Sequence, residues 1–146
     1  MRSRLAHEES GFTLIELITV VLIIGILATI AIVMFVNQKQ KGDDADAKSN
    51  AGALVGAINQ CFVGAATFTD CDGQGAGDQL GSTGLPLGSG PGKVTVTSVS
   101  ANSFQVTATS NVGHHFVVTQ GPDGMQVRSC DAGAFPDGGG CTNGSW

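Results

Sequence analysis

The run from Phe12 to Val36, FTLIELITVVLIIGILATIAIVMFV, constrains this chain more than any other feature, because it carries a single charge, Glu16. As a helix it would be about 37 Å long, enough to cross a hydrocarbon layer of roughly 30 Å. Arg2 and Arg4 precede it, which predicts a cytoplasmic N-terminus and an exported remainder. Lys39 and Lys41 follow the run but are offset by Asp43, Asp44 and Asp46. An ordinary secretory signal has a shorter apolar core ending at a small-x-small site; Ala28-Thr29-Ile30-Ala31 is a poor candidate, since apolar sequence continues past it. The charge balance narrows the function further. A net charge of −5 with seven Lys and Arg lacks the dense cation that phosphate binding needs, so no direct nucleic-acid contact is expected.

A plain anchor has no use for Glu16, because a carboxylate in a membrane segment is costly and usually has a partner and a task. The surrounding residues, Gly11-Phe12-Thr13-Leu14-Ile15-Glu16-Leu17, follow a short polar leader and open an uninterrupted apolar helix. This combination resembles the processing signal of type IV prepilins and the related pseudopilins. The resemblance covers about the first third of the chain. It implies that a membrane prepilin peptidase cuts between Gly11 and Phe12 and N-methylates Phe12. Cleavage creates an α-ammonium at Phe12, which Glu16 can pair with in its own chain or in a neighbour; the resemblance implies the neighbour. It also implies partners: further copies in a helical filament, an assembly platform and a motor ATPase. In one respect the sequence departs from the family. A Pro is frequent in the second half of this helix, whereas here Val33 stands in the run Ala31-Ile32-Val33-Met34, leaving Gly25 as a weak point.

Beyond Asp43 the pattern turns amphipathic. Ala47, Ala51, Leu54, Val55, Ile58, Cys61 and Phe62 recur at spacings of three and four, which predicts one helical face, with Gly64 as the stop. Gly42 followed by Asp43 predicts a bend or local break. Residues 65–92 become rich in Gly, Ser and Pro and read as a long loop. Four alternating segments follow, at 93–99, 103–109, 115–119 and 125–130, separated by short turns that include Gly121-Pro122-Asp123-Gly124. The expected fold class is α+β: a long N-terminal helix, half membrane-spanning and half amphipathic, packed on a four-stranded antiparallel sheet, as in type IV pilins. The expected domains are a cleaved leader at 1–11, a transmembrane and filament-core helix at 12–36, and an exported head at 37–146.

Four cysteines stand at positions 61, 71, 130 and 141. Export implies an oxidising compartment, so disulfides are expected. Three pairings are possible; nearest-neighbour pairing, Cys61 with Cys71 and Cys130 with Cys141, is the expectation. It ties the helix end to the loop and the last strand to a Gly-rich tail at 131–146. Zinc is disfavoured because C-x-x-C spacing is missing. The loop at 70–78 partly matches a calcium loop, with Gly75 at the turn position, but Gly81 stands where the last acid belongs, so a solvated acidic loop is expected. His114 and His115 open a strand, point to opposite faces and are expected to be surface and half-buried histidines. Asn143-Gly144-Ser145 fits a glycosylation acceptor but means little outside a suitable secretory pathway. No nucleophile, base and orienting acid stand together in a recognisable motif, so no enzyme, cofactor or metal is expected.

These readings converge on a structural subunit of a type IV pilus-like filament. The subunit sits in the cytoplasmic membrane before assembly and on the cell surface afterwards. The head and its paired cysteines resemble the major pilins of Gram-positive relatives. The alternatives are a pseudopilin of a secretion or competence machine and, from another class, a monomeric single-span binding module; an anchored enzyme is the weakest.

Overall fold

The structure, a computed structural model, describes residues 11–73, 80, 82–131 and 139–146. One helix, α1 (Leu14–Ala65, 52 residues), precedes four strands: β1 (Val94–Val99), β2 (Phe104–Thr109), β3 (His115–Gln120) and β4 (Gln126–Asp131). They form one antiparallel sheet in the order β1-β2-β3-β4. The fold is thus α+β, a long helix followed by a strand meander. Two units are distinguished, one ending at Asn37 and the other running Gln38–Trp146.

The second unit carries the hydrophobic core. Ala47, Ala51, Leu54, Val55 and Ile58 are buried at spacings of three and four along α1, the periodicity that places side chains on one helical face. They share one cluster with Val94, Phe104, Val106, Ala108, Phe116 and Val118 of the sheet. Burial alternates along β2, Phe104, Val106 and Ala108 facing inward, because successive strand residues point to opposite faces. The opposite face is largely threonine. Thr97 hydrogen-bonds the side chain of Gln105, and Gln105 donates in turn to Thr119. The pairing of β1 with β2 shifts between Val96 and Ser98, so Thr97 sits in a bulge.

Local chemistry sets the ends of these elements. Helix α1 stops at Ala65, one residue beyond Gly64, and Ala66 rather than a glycine takes the left-handed conformation, with φ 58°. Phe68 then stacks on Phe62 and meets Phe104 edge-on at 4.9 Å. The turn between β3 and β4 closes through Gly124 N–H to Gly121 carbonyl at 3.0 Å, with Gly124 at φ 77°, where a side chain would be strained.

Two expectations need correction. The expected local break at Gly42-Asp43 does not occur; the helix continues through both. The reason lies just beyond Gly42. Asn111 Nδ2 donates to Asp43 Oδ1 at 3.1 Å, and Asp44 is bound by His114. The helix is therefore held at the point where propensity alone would let it go. His114 is not a surface or half-buried strand residue. It precedes β3, is 6% exposed, and its Nδ1 lies 2.9 Å from Oδ2 of Asp44, which is 1% exposed. His115, next to it, is exposed.

Candidate processing and assembly site

Gly11, Phe12 and Thr13 precede the helix and are exposed. Phe12 is 79% exposed. The first carbonyl of the helical ladder belongs to Thr13, which accepts the Leu17 N–H at 3.2 Å. Glu16 therefore lies in the first turn. Its Oε2 accepts two hydrogen bonds from Thr13, from the backbone N–H at 3.0 Å and from the hydroxyl at 2.7 Å. The Thr13 hydroxyl oxygen accepts the Glu16 N–H at 3.3 Å in return. This reciprocal arrangement is a capping box, in which an N-cap Ser or Thr and a Glu or Gln three residues later satisfy each other's orphan N–H groups. Thr13 is thus a partner of Glu16 beyond the amine that charge alone suggests. The signal was local and present: T-x-x-E before an apolar run.

From Leu14 to Val36 the large apolar side chains point outward, from Val20 and Val36 at 47% exposed to Leu14 at 75%. Among the described residues this is the one helix long and apolar enough to cross a membrane. Thr19 and Thr29 within it turn their hydroxyls back onto helix carbonyls, Thr19 to Ile15 and Thr29 to Ile26. Their polarity is thereby hidden from an apolar surrounding.

The cysteines lie in the second unit, where the structure joins Cys61 to Cys71 and Cys130 to Cys141, each with Cα atoms 5.9 Å apart. The second bond helps hold the chain end against β4. Cys130 N–H donates to Gly144 carbonyl, Ser145 hydroxyl to Arg128 carbonyl, and Trp146 indole N–H to Ser129 carbonyl at 2.9 Å. Trp146 meets the Phe116 ring edge-on and lies near two cations, Arg128 at 4.8 Å and Lys48 at 5.7 Å from its centroid. Lys48 also donates to the Gly139 carbonyl. Gly139 passes so close to Asp44 that a Cβ there would overlap it. Asp44, Lys48, His114 and Gly139 thus fasten helix, hairpin turn and tail together. Nothing local in sequence marks this cluster, since Asp44 and His114 are 70 residues apart.

Most of the candidate calcium loop at 70–78 lies outside the described residues, as do residues 1–10 of the leader and residues 132–138 of the tail. Among the described residues no group of three His, Cys, Asp or Glu side chains is placed to hold a metal ion.

Comparison with known proteins defines the class first. Residues 7–32 match the prokaryotic N-terminal methylation motif. That window takes in Gly11, Phe12, the capping box and most of the exposed apolar helix. The chain is 36% identical over 102 residues to the major component of the narrow type IV pilus of Thermus thermophilus, covering 68% of this chain and 88% of the relative. It is 43% identical over 68 residues to the type IV major pilin of Myxococcus xanthus, covering 47% of this chain and 31% of that protein. Core protein G of the type II secretion system of Aeromonas hydrophila is 39% identical over 53 residues, 36% of this chain and 37% of that protein. No solved structure matches the chain significantly. The chain belongs to the type IV pilin family.

Proposed function

We propose that this chain is a structural subunit, not an enzyme, made as a membrane-anchored precursor and polymerised through its N-terminal helix into a pilus on the cell surface. The observation that carries this reading is an exposed apolar helix with one carboxylate, fixed in its first turn. Removing so much apolar surface from water is worth about 25 cal/mol per Å², and the helix offers that surface to lipid first and to other subunits afterwards. Residues 1–11 are the leader, residues 12–36 the membrane and filament-core segment, and residues 37–146 the head. The N-terminus faces the cytoplasm, where a prepilin peptidase cuts between Gly11 and Phe12 and the new Phe12 amine is methylated. Glu16 then accepts the Phe12 ammonium of a neighbouring subunit, and an assembly platform with its motor ATPase supplies the work of extraction. The two disulfides stabilise the head after export, by about 2–4 kcal/mol each.

The similarity to a type II secretion core protein supports a second reading, a pseudopilin of a secretion machine. The pilus reading is preferred because the match to the pilus component of Thermus thermophilus extends over far more of the chain.

The test is the intact mass of protein sheared from cells. A mass beginning at Phe12 and carrying one added methyl group, from visible filaments, is the expected result. Gly11→Val should leave uncut precursor in the membrane, because a β-branched side chain crowds the scissile carbonyl. Mature protein of normal length from that variant would remove the cleavage assignment.

A further inference from the structure

The position of the capping box relative to the cleavage point suggests a role for Thr13 beyond helix stability. We propose that Thr13 is a positioning residue for processing: by capping α1 it holds the Gly11–Phe12 bond outside the helix, in the extended form a peptidase can attack. The inference rests on the cleavage assignment above.

Thr13 is the N-cap, and the two residues before it are non-helical. Hydrolysis adds water across the Gly11–Phe12 amide, leaving a carboxylate on Gly11 and an amine on Phe12. The attacked atom is the Gly11 carbonyl carbon. In the structure the helical ladder begins at the Thr13 carbonyl, so the Gly11 carbonyl lies upstream of it.

The sequence offers a competing start. Ser10 stands three residues before Thr13, and Ser is as good an N-cap as Thr. A helix capped at Ser10 would take Gly11, Phe12 and Thr13 as its first three positions. The Gly11 carbonyl would then accept the Ile15 N–H, because helical hydrogen bonds run from residue i to i−4. Such a bond would bury the scissile carbonyl in the ladder and fix the backbone in helical dihedrals, whereas extended peptides are read through free main-chain groups. The Thr13–Glu16 box opposes this. It engages the Thr13 N–H and hydroxyl together on one carboxylate oxygen, which requires Thr13 to remain the cap.

The test is the rate at which full-length precursor is converted to mature protein in cells carrying the peptidase, followed by pulse labelling at matched membrane levels. Thr13→Ser and Thr13→Asn keep an N-capping side chain. Thr13→Val keeps the volume and loses the cap. The Ser and Asn variants should be cut at the wild-type rate, and the Val variant more slowly, by up to about fivefold, the limit set by the shift in equilibrium from one lost N-cap. Equal rates for Thr13→Val and wild type would overturn the proposal. Slow cutting of the Asn and Val variants alike, with Ser normal, would overturn it too, because the peptidase would then be reading the hydroxyl itself. Wild-type protein left uncut at Gly11–Phe12 would instead overturn the processing assignment and this inference with it.

Discussion

Two stretches of one helix treat similar side chains in opposite ways. Between Leu14 and Val36, Ile24 is 59% exposed and Phe35 is 70% exposed. Between Ala47 and Ile58, Ala51, Leu54 and Ile58 are wholly buried. Both stretches are helical and both are apolar on the relevant face, so propensity does not separate them. The separation comes from partners. The later stretch shares a core cluster with the strands, while the large apolar side chains of the earlier one are exposed. On the proposed function, lipid first and other subunits afterwards cover that exposed surface. Substitutions in the two stretches should therefore register in different measurements.

The largest effect expected is in assembly. On the pairing proposed above, Glu16→Ala would leave the Phe12 ammonium of a neighbour unpaired at an apolar contact, and breaking one side of a buried pair costs about 3–5 kcal/mol. Filament yield should fall at least a hundredfold, while membrane level and the thermal transition of the head stay unchanged. Glu16→Gln sharpens the point. Glutamine serves in a capping box as glutamate does, so it preserves the helix start and removes only the charge. It should also yield few or no filaments. Wild-type yield from cleaved Glu16→Gln protein would sink the charge-pairing mechanism.

Next comes a matched pair in the two stretches. Leu54→Ala should destabilise the head by about 4 kcal/mol, through lost burial and the cavity left behind. Leu22→Ala, at a position 61% exposed, should leave the melting temperature of detergent-solubilised full-length protein unchanged. A fall of similar size in both would erase the distinction between the stretches.

The third effect, slightly smaller, concerns the fastening of helix to sheet. His114→Ala leaves the Asp44 carboxylate buried without its 2.9 Å partner. The expected cost is about 3 kcal/mol, or roughly 10 °C in melting temperature for a head of this size. Replacing both residues by apolar ones should recover part of the loss, because two well-packed apolar groups avoid the stranded charge. No recovery in the double variant would show that the pair is not coupled.

How much of this is legible in the sequence follows from the range of each interaction. The four strands appear within one residue of where alternation places them, because a period of two is a local property of Val, Thr and Phe spacing. The amphipathic face of α1 is legible for the same reason. The Thr13–Glu16 box is equally local, yet a reading of the segment as an apolar span hides it. The Asp44–His114 contact is different in kind. Asp44 sits among acids that look like surface charge, and His114 looks like the edge of a strand. Only folding brings them together. The contacts that hold α1 just past Gly42, Asn111 on Asp43 and His114 on Asp44, are equally long-range.

Gly42→Ala gives the smallest effect and the only one of opposite sign. Gly42 is exposed within the helix, and an added Cβ would meet nothing within 4 Å. Glycine in a helix interior is less favourable than alanine by about 0.5–1 kcal/mol, because it gives up more backbone freedom on folding. Because the helix continues through this point, Gly42→Ala should raise the melting temperature of the head by about 2 °C. Gly25→Ala likewise adds a Cβ into open space, but in the exposed earlier stretch. It should leave the head transition where it was. Were Gly42 instead a working bend, alanine would oppose it, and the head would gain nothing or melt earlier. A rise at Gly42 with no change at Gly25 would place helix continuity on the side of the head's own stability and leave the earlier stretch to its external partners.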